Sequence, residues 1–95
     1  MNGIEYIQKE REKQISKHGY SPEHDSMYTH SELLFGALAY LNAAIYGPGS
    51  GYDDWPFPVE YFKPGTDIVE CLSKVGAFAA AEIDRIKLKE IENDK

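Results

Sequence analysis

Residues 66–90 read TDIVECLSKVGAFAAAEIDRIKLKE, and Ile68, Cys71, Leu72, Val75, Ala79, Ile83 and Ile86 recur there at helical spacing. Thr66 stands where an N-cap belongs, and Asp67 and Glu70 put negative charge in the first turn, where the helix dipole favours it. The spacing predicts a helix over about residues 67–90, on the order of 35 Å long. Immediately before it, residues 47–65 hold four of the eight glycines and four of the five prolines, which permits neither a long helix nor a central strand. Further back, Thr29 and Glu32 form a capping box ahead of the apolar stripe Leu33, Leu34, Ala37, Leu38, Leu41 and Ala44. That stripe predicts a second helix over about 30–45 and makes it the most buried element. Near the N-terminus, Ile4, Ile7 and Ile15 share one helical face with Arg11, which predicts a short first helix over about 2–18, closed by Gly19. Ser21-Pro22 is the start of one further turn around Glu23-His24. The expected fold is all-α: one small three-helix domain over 1–95, with a long aromatic, Gly/Pro-rich loop between helices 2 and 3.

With 95 residues the chain buries only roughly 60–65% of its unfolded surface, enough for one core. Sixteen acidic against ten basic side chains give a net charge of −6, which repels duplex nucleic acid and anionic membranes alike. The longest apolar run, Leu33 to Leu41, falls well short of the ~20 residues that span a bilayer. Glu5, Lys9, Glu10 and Arg11 stand where a targeting segment would be apolar. A cytoplasmic protein is expected. Cys71 is the single cysteine, so neither an internal disulfide nor a cysteine-rich zinc site is available. A third helix longer than so small a core requires favours a homo-oligomer.

Two clusters carry the chemistry. Tyr46, Tyr52, Trp55, Phe57, Tyr61 and Phe62 crowd the loop and are followed by Lys63-Pro64. They read either as a packing lid or as a stacking surface for a planar ring with Lys63 placed to meet a phosphate. The second cluster is Arg11, Lys13, Gln14, His18, Tyr20, His24 and Asp25. An arginine on an apolar helix face needs an anionic partner, either an acid such as Asp25 or Glu82 or the anion of a ligand. Lys74, beside the small residues from Gly76 to Ala81, adds a further cation on helix 3. Asp67 and Glu70 form an acidic i, i+3 pair, and with Glu32 they resemble, incompletely, the magnesium ligands of all-α pyrophosphohydrolases of the MazG and dUTPase-like kind. His24-Asp25 is similar to the paired ligands of the HD phosphohydrolases, but in a turn and without further ligands.

Read as a string, the chain resembles a family of small proteins from phages and prophages. The resemblance rests on Glu10-Arg11-x-Lys13-Gln14, Gly19-Tyr20-Ser21-Pro22-Glu23-His24-Asp25, Glu32-Leu33, Trp55-Pro56, Lys63-Pro64 and Leu72-x-Lys74-x-Gly76-Ala77, with Ala81-Glu82-Ile83-Asp84-Arg85 beyond them. Lys13 and Tyr20 stand where the family has arginine and tryptophan. The resemblance implies a protein acting in the cytoplasm of a bacterial host and marks a residue set without naming its chemistry. Other small oligomeric phage proteins sequester the nucleotides that bacterial defence systems use as signals.

The residue types favour a nucleotide-like anionic ligand bound without turnover and without a cofactor, by Arg11, Gln14, His18, Tyr20, His24, Asp25, Trp55, Lys63 and Lys74. The alternatives are a magnesium-dependent nucleoside-triphosphate pyrophosphohydrolase using Glu32, Asp67 and Glu70, and a protein–protein interaction module presenting the aromatic loop.

Overall fold

The computed structural model describes residues 1–18 and 31–93, the side chains of Lys17 and His18 excepted. Among the described residues there are three α-helices: α1 (Gly3–His18), α2 (Glu32–Tyr46) and α3 (Ile68–Asn93). Two 3₁₀ turns, Pro48–Gly51 and Val59–Tyr61, lie in the loop between α2 and α3, and no strand occurs among the described residues.

Local chemistry sets the helix ends. At α1, Asn2 Oδ1 accepts the Glu5 N–H at 2.9 Å while the Glu5 carboxylate accepts the Asn2 N–H at 3.0 Å, a reciprocal cap that satisfies two orphan donors. At α3 the cap is Asp67 rather than Thr66: its Oδ1 accepts the N–H groups of Val69 and Glu70 at 3.0 and 3.3 Å. The carboxylate thus provides both the acceptor and the charge that the helix dipole favours. α2 starts at Glu32, after Ser31 in the left-handed conformation at φ 64°; Thr29, expected to cap it, lies outside the described residues. At the far end of α3, Lys87–Glu90 and Lys89–Glu92 pairs support the polar last turns, and the helix runs to Asn93, past the expected end near residue 90.

α3 is the central helix. α2 runs antiparallel to it, with Gly36 against Phe78 and Tyr40 beside Lys74, whereas α1 runs parallel, with Ile7 against Gly76 and Arg11 against Asp84. α1 and α2 both pack on α3 and not on each other. A Cβ at Gly76 would lie 2.5 Å from Ile7 Cδ1, so the missing side chain is what lets α1 approach. A Cβ at Gly51 would lie 2.7 Å from Phe62 Cζ and closer still to the Ala39 carbonyl oxygen, so a glycine there pins the loop onto α2.

The buried faces differ from those the periodicity picked out. α2 turns Leu33, Gly36, Ala39, Tyr40 and Ala43 inward, and Leu34, Phe35, Leu38, Leu41 and Ile45 stand 36–59% exposed. α3 buries Cys71, Ala77, Phe78 and Ala81 while Ile68, Leu72, Ile83 and Ile86 face outward. On α1, Arg11 and Gln14 are buried and Ile4 and Ile15 exposed. The reason is close approach: small residues on α2 and α3 bring the helices together, and aromatic rings from α2, α3 and the loop fill the space above them. The core accordingly centres on Tyr40, Phe62 and Phe78, with Trp55 and Phe57 packed against it.

Candidate functional site

A cavity of about 130 Å³ opens where the wedge between α1 and α2 is floored by α3 and roofed by the loop. Glu10 and Gln14 come from α1, Tyr40 from α2, Trp55, Tyr61 and Lys63 from the loop, and Lys74 and Phe78 from α3.

Its apolar walls are held by ring contacts. Trp55 meets Tyr40 edge-on at 5.5 Å between centroids and Phe78 at 5.9 Å, and Tyr40 and Phe78 stack at 6.2 Å. The Trp55 indole N–H donates to the Pro58 carbonyl at 3.0 Å, which fixes the ring within the loop. The Lys63 backbone N–H donates to the Tyr40 hydroxyl at 3.1 Å, which ties the end of the loop to α2. Burial pushes the Tyr40 phenol up to about 12; the Lys63 N–H acts against this, and the negative charges of Cys71, Glu10 and Glu70 add to it.

The polar groups sit at two edges. Lys74 lies 5.3 Å from the centre of the Tyr40 ring and 3.3 Å from Glu70 Oε1. Glu70 is half exposed, so this pair is worth roughly 0–1 kcal/mol and leaves the ammonium able to share an incoming anion. On the α1 edge, Arg11 Nη1 donates to Gln14 Oε1 at 3.2 Å, and Arg11 Nη2 pairs with Asp84 Oδ2 at 3.1 Å. Glu82, one of the acids expected to pair with Arg11, instead accepts the Arg85 Nε–H, and this bond raises the Arg85 pKa further against the opposing effect of burial. Helical phase is the cause: Asp84 lies on the side of α3 that faces α1, and Arg85 is within reach of Glu82 on their own helix.

Of the nine residues picked from the sequence for a ligand, Gln14, Trp55, Lys63 and Lys74 line this one cavity. Arg11 stands behind Gln14 and does not line it. Tyr20, His24 and Asp25 lie outside the described residues, as does the side chain of His18. Glu10, Tyr40, Tyr61 and Phe78 are additional. Glu10 shares the i, i+4 face of α1 with Gln14, and Tyr40 carries the one hydroxyl in the middle of an apolar helix, two signals that would have found these two. The loop aromatics divide between the two readings: Phe62 is buried in the core as a lid residue, and the half-buried Trp55 both packs and lines the cavity.

The acids of the magnesium alternative are not brought together. Glu32 acts electrostatically on Arg85, toward the far end of α3, whereas Asp67 caps that helix and Glu70 pairs with Lys74. From Glu70 to Arg85 the helix rises about 22 Å, so antiparallel packing of α2 separates Glu32 from the other two. Among the described residues no three His, Cys, Asp or Glu stand close enough to hold a metal ion. Cys71 is a packing thiol: buried, donating to the Pro64 carbonyl at 2.8 Å, with a pKa raised by desolvation against the opposing charge of Lys74. Among the described residues no helix is long and apolar enough to cross a membrane.

Comparison with protein families, curated proteins and solved structures returns no match to the chain.

Proposed function

We propose that the protein binds a small nucleotide-like anion without turning it over, with a planar ring against Trp55, Tyr40 and Phe78 and the phosphate at Lys63 and Lys74. The observation that carries this reading is the convergence, from α2, α3 and the loop, of three aromatic walls and two lysines on one cavity. Stacking and cation–phosphate contacts are the two interactions such a ligand needs. The cavity is smaller than the ~300–1,000 Å³ of drug-sized sites, which suits one ring with its phosphates at the rim rather than a whole dinucleotide. Sequestering a nucleotide signal is the cellular role that accords with the resemblance to phage proteins.

Thermal unfolding with nucleoside mono- and triphosphates, each with and without magnesium, tests the reading. Ligand at ~100 times its dissociation constant adds ~2.7 kcal/mol, several degrees for a domain of this size. The expected result is a metal-independent rise, ligand recovered intact, and loss of the rise in the double variant Lys63→Ala, Lys74→Ala. No rise with any ring-bearing anion overturns the proposal, and a magnesium-dependent rise with release of pyrophosphate replaces it with the hydrolase.

We also propose that the protein self-associates through the outward face of α2. Leu34, Phe35, Leu38, Leu41 and Ile45 form an exposed stripe about 17 Å long, and no charged residue follows Glu32 in that helix. A helix apolar on every side belongs between two packed layers, and an uncharged stripe is complementary to its own copy. Leu38→Glu is expected to convert an oligomer to a monomer in sedimentation analysis with its helical circular dichroism unchanged; a wild-type protein that sediments as a monomer overturns the assignment.

A further inference from the structure

We infer that the cavity reads the hydrogen-bonding edge of the ring and prefers a guanine-type edge, with two adjacent N–H donors beside a carbonyl, to an adenine edge. The inference rests on the nucleotide reading above and deepens it. Gln14 is 5% exposed and lines the cavity. Its amide orientation is dictated by its neighbour: a guanidinium has only donors, so the Oε1 end must face Arg11, which is itself held by Asp84. The Nε2 end, which makes no hydrogen bond with the described residues, is left as a donor for the cavity.

One turn earlier on the same face, Glu10 presents a carboxylate that is 14% exposed and can only accept. Its partner is Lys13, 3.7 Å from Oε2 and itself largely solvent-facing, a contact too long to occupy the oxygen. The α1 edge therefore offers one donor and, one helical turn away, a charged two-oxygen acceptor. A guanine edge satisfies all of it: O6 accepts from Gln14 Nε2, and N1–H and N2–H donate to the two Glu10 oxygens as a charge-assisted fork. An adenine edge supplies one N–H donor and one ring-nitrogen acceptor, and turns a C–H toward the second carboxylate oxygen. Hypoxanthine keeps O6 and N1–H and lacks the amino group. Arg11 acts as a positioning residue, holding Gln14 in the one amide orientation that gives this pattern.

Isothermal titration with guanosine, inosine and adenosine 5′-monophosphates tests the assignment. The guanosine nucleotide is expected to bind at least about tenfold more tightly than the adenosine one, with inosine between, the size of one good bidentate contact. Glu10→Gln, nearly isosteric, is expected to bring the three affinities together. Lys74→Ala is expected to weaken all three alike, because it meets the phosphate they share. Equal or reversed affinities in the wild type, or a preference that survives Glu10→Gln, overturn the inference while leaving nucleotide binding in place. Failure of all three nucleotides to bind overturns the underlying reading as well.

Discussion

Phe78→Ala is expected to lower the stability of the protein by about 3–5 kcal/mol, the cost of emptying a buried aromatic site. Phe78 is 4% exposed, stacks on Tyr40 and on Phe57 at 6.1 Å, meets Trp55 edge-on, and lies against Gly36 of α2. Removing the ring takes the shared partner from three aromatic side chains at once, and Gly36, which lies against the ring, has no side chain to fill the space. In a domain this small each kcal/mol moves Tm by about 4–8 °C, so the variant is expected to unfold at least about 12 °C below the wild type. Phe78→Leu, which keeps most of the volume, is expected to cost about 1.5 kcal/mol or less. Urea denaturation of the two variants beside the wild type decides it; a loss below about 1 kcal/mol in Phe78→Ala would show that the core is centred elsewhere.

Alkaline conditions destabilise the fold through Tyr40. Burial holds its proton in the native state until about pH 12, whereas an unfolded tyrosine releases it near its ordinary value of 10.0. Because the folded pKa is the higher one, the stabilising contribution is complete below pH 10 and is lost as pH rises toward 12. The slope is about 1.4 kcal/mol per pH unit, for a total of about 2–3 kcal/mol. Tyr40→Phe gives up the hydrogen bond from the Lys63 N–H and starts from a lower stability, yet its urea midpoint is expected to fall less steeply over this range. Parallel curves for the two proteins would assign the alkaline loss to other groups.

The positions of the three helices were legible because glycine, proline and acidic first turns mark their ends. Which faces they bury was not. α2 from Leu33 to Ile45 is apolar apart from Tyr40 and Asn42, so its periodicity offers several stripes and selects none. The selection was made by residues too small to register in a hydrophobic pattern: Gly36 admits Phe78, and Gly76 admits Ile7. On α1, Ile4 and Ile15 were misleading for a related reason, since the face toward α3 and the cavity carries Arg11 and Gln14 beside Ile7, and the burial of Arg11 depends on a partner elsewhere in the chain. Arg11 was recognisable as needing an acid, but the choice of Asp84 over Glu82 depends on the phase of a helix more than seventy residues away. Trp55, Lys63 and Lys74 could be singled out by type; only the return of the loop across α2 and α3 puts them around one space.

The separation of α1 from α2 has a consequence for how such a protein can change over generations. The buried apolar cluster is built from α2, α3 and the loop, and α1 contributes no residue to it. Glu10 and Gln14, which face the cavity from the α1 side, therefore lie on a helix that packs on α3 outside that cluster, at the Ile7–Gly76 contact and the Arg11–Asp84 pair. A substitution at Glu10 changes what the cavity wall offers a ligand without touching the buried apolar cluster. Divergent copies of this chain could thus acquire new ligands by exchanging a few residues on one helix, with the aromatic framework inherited intact.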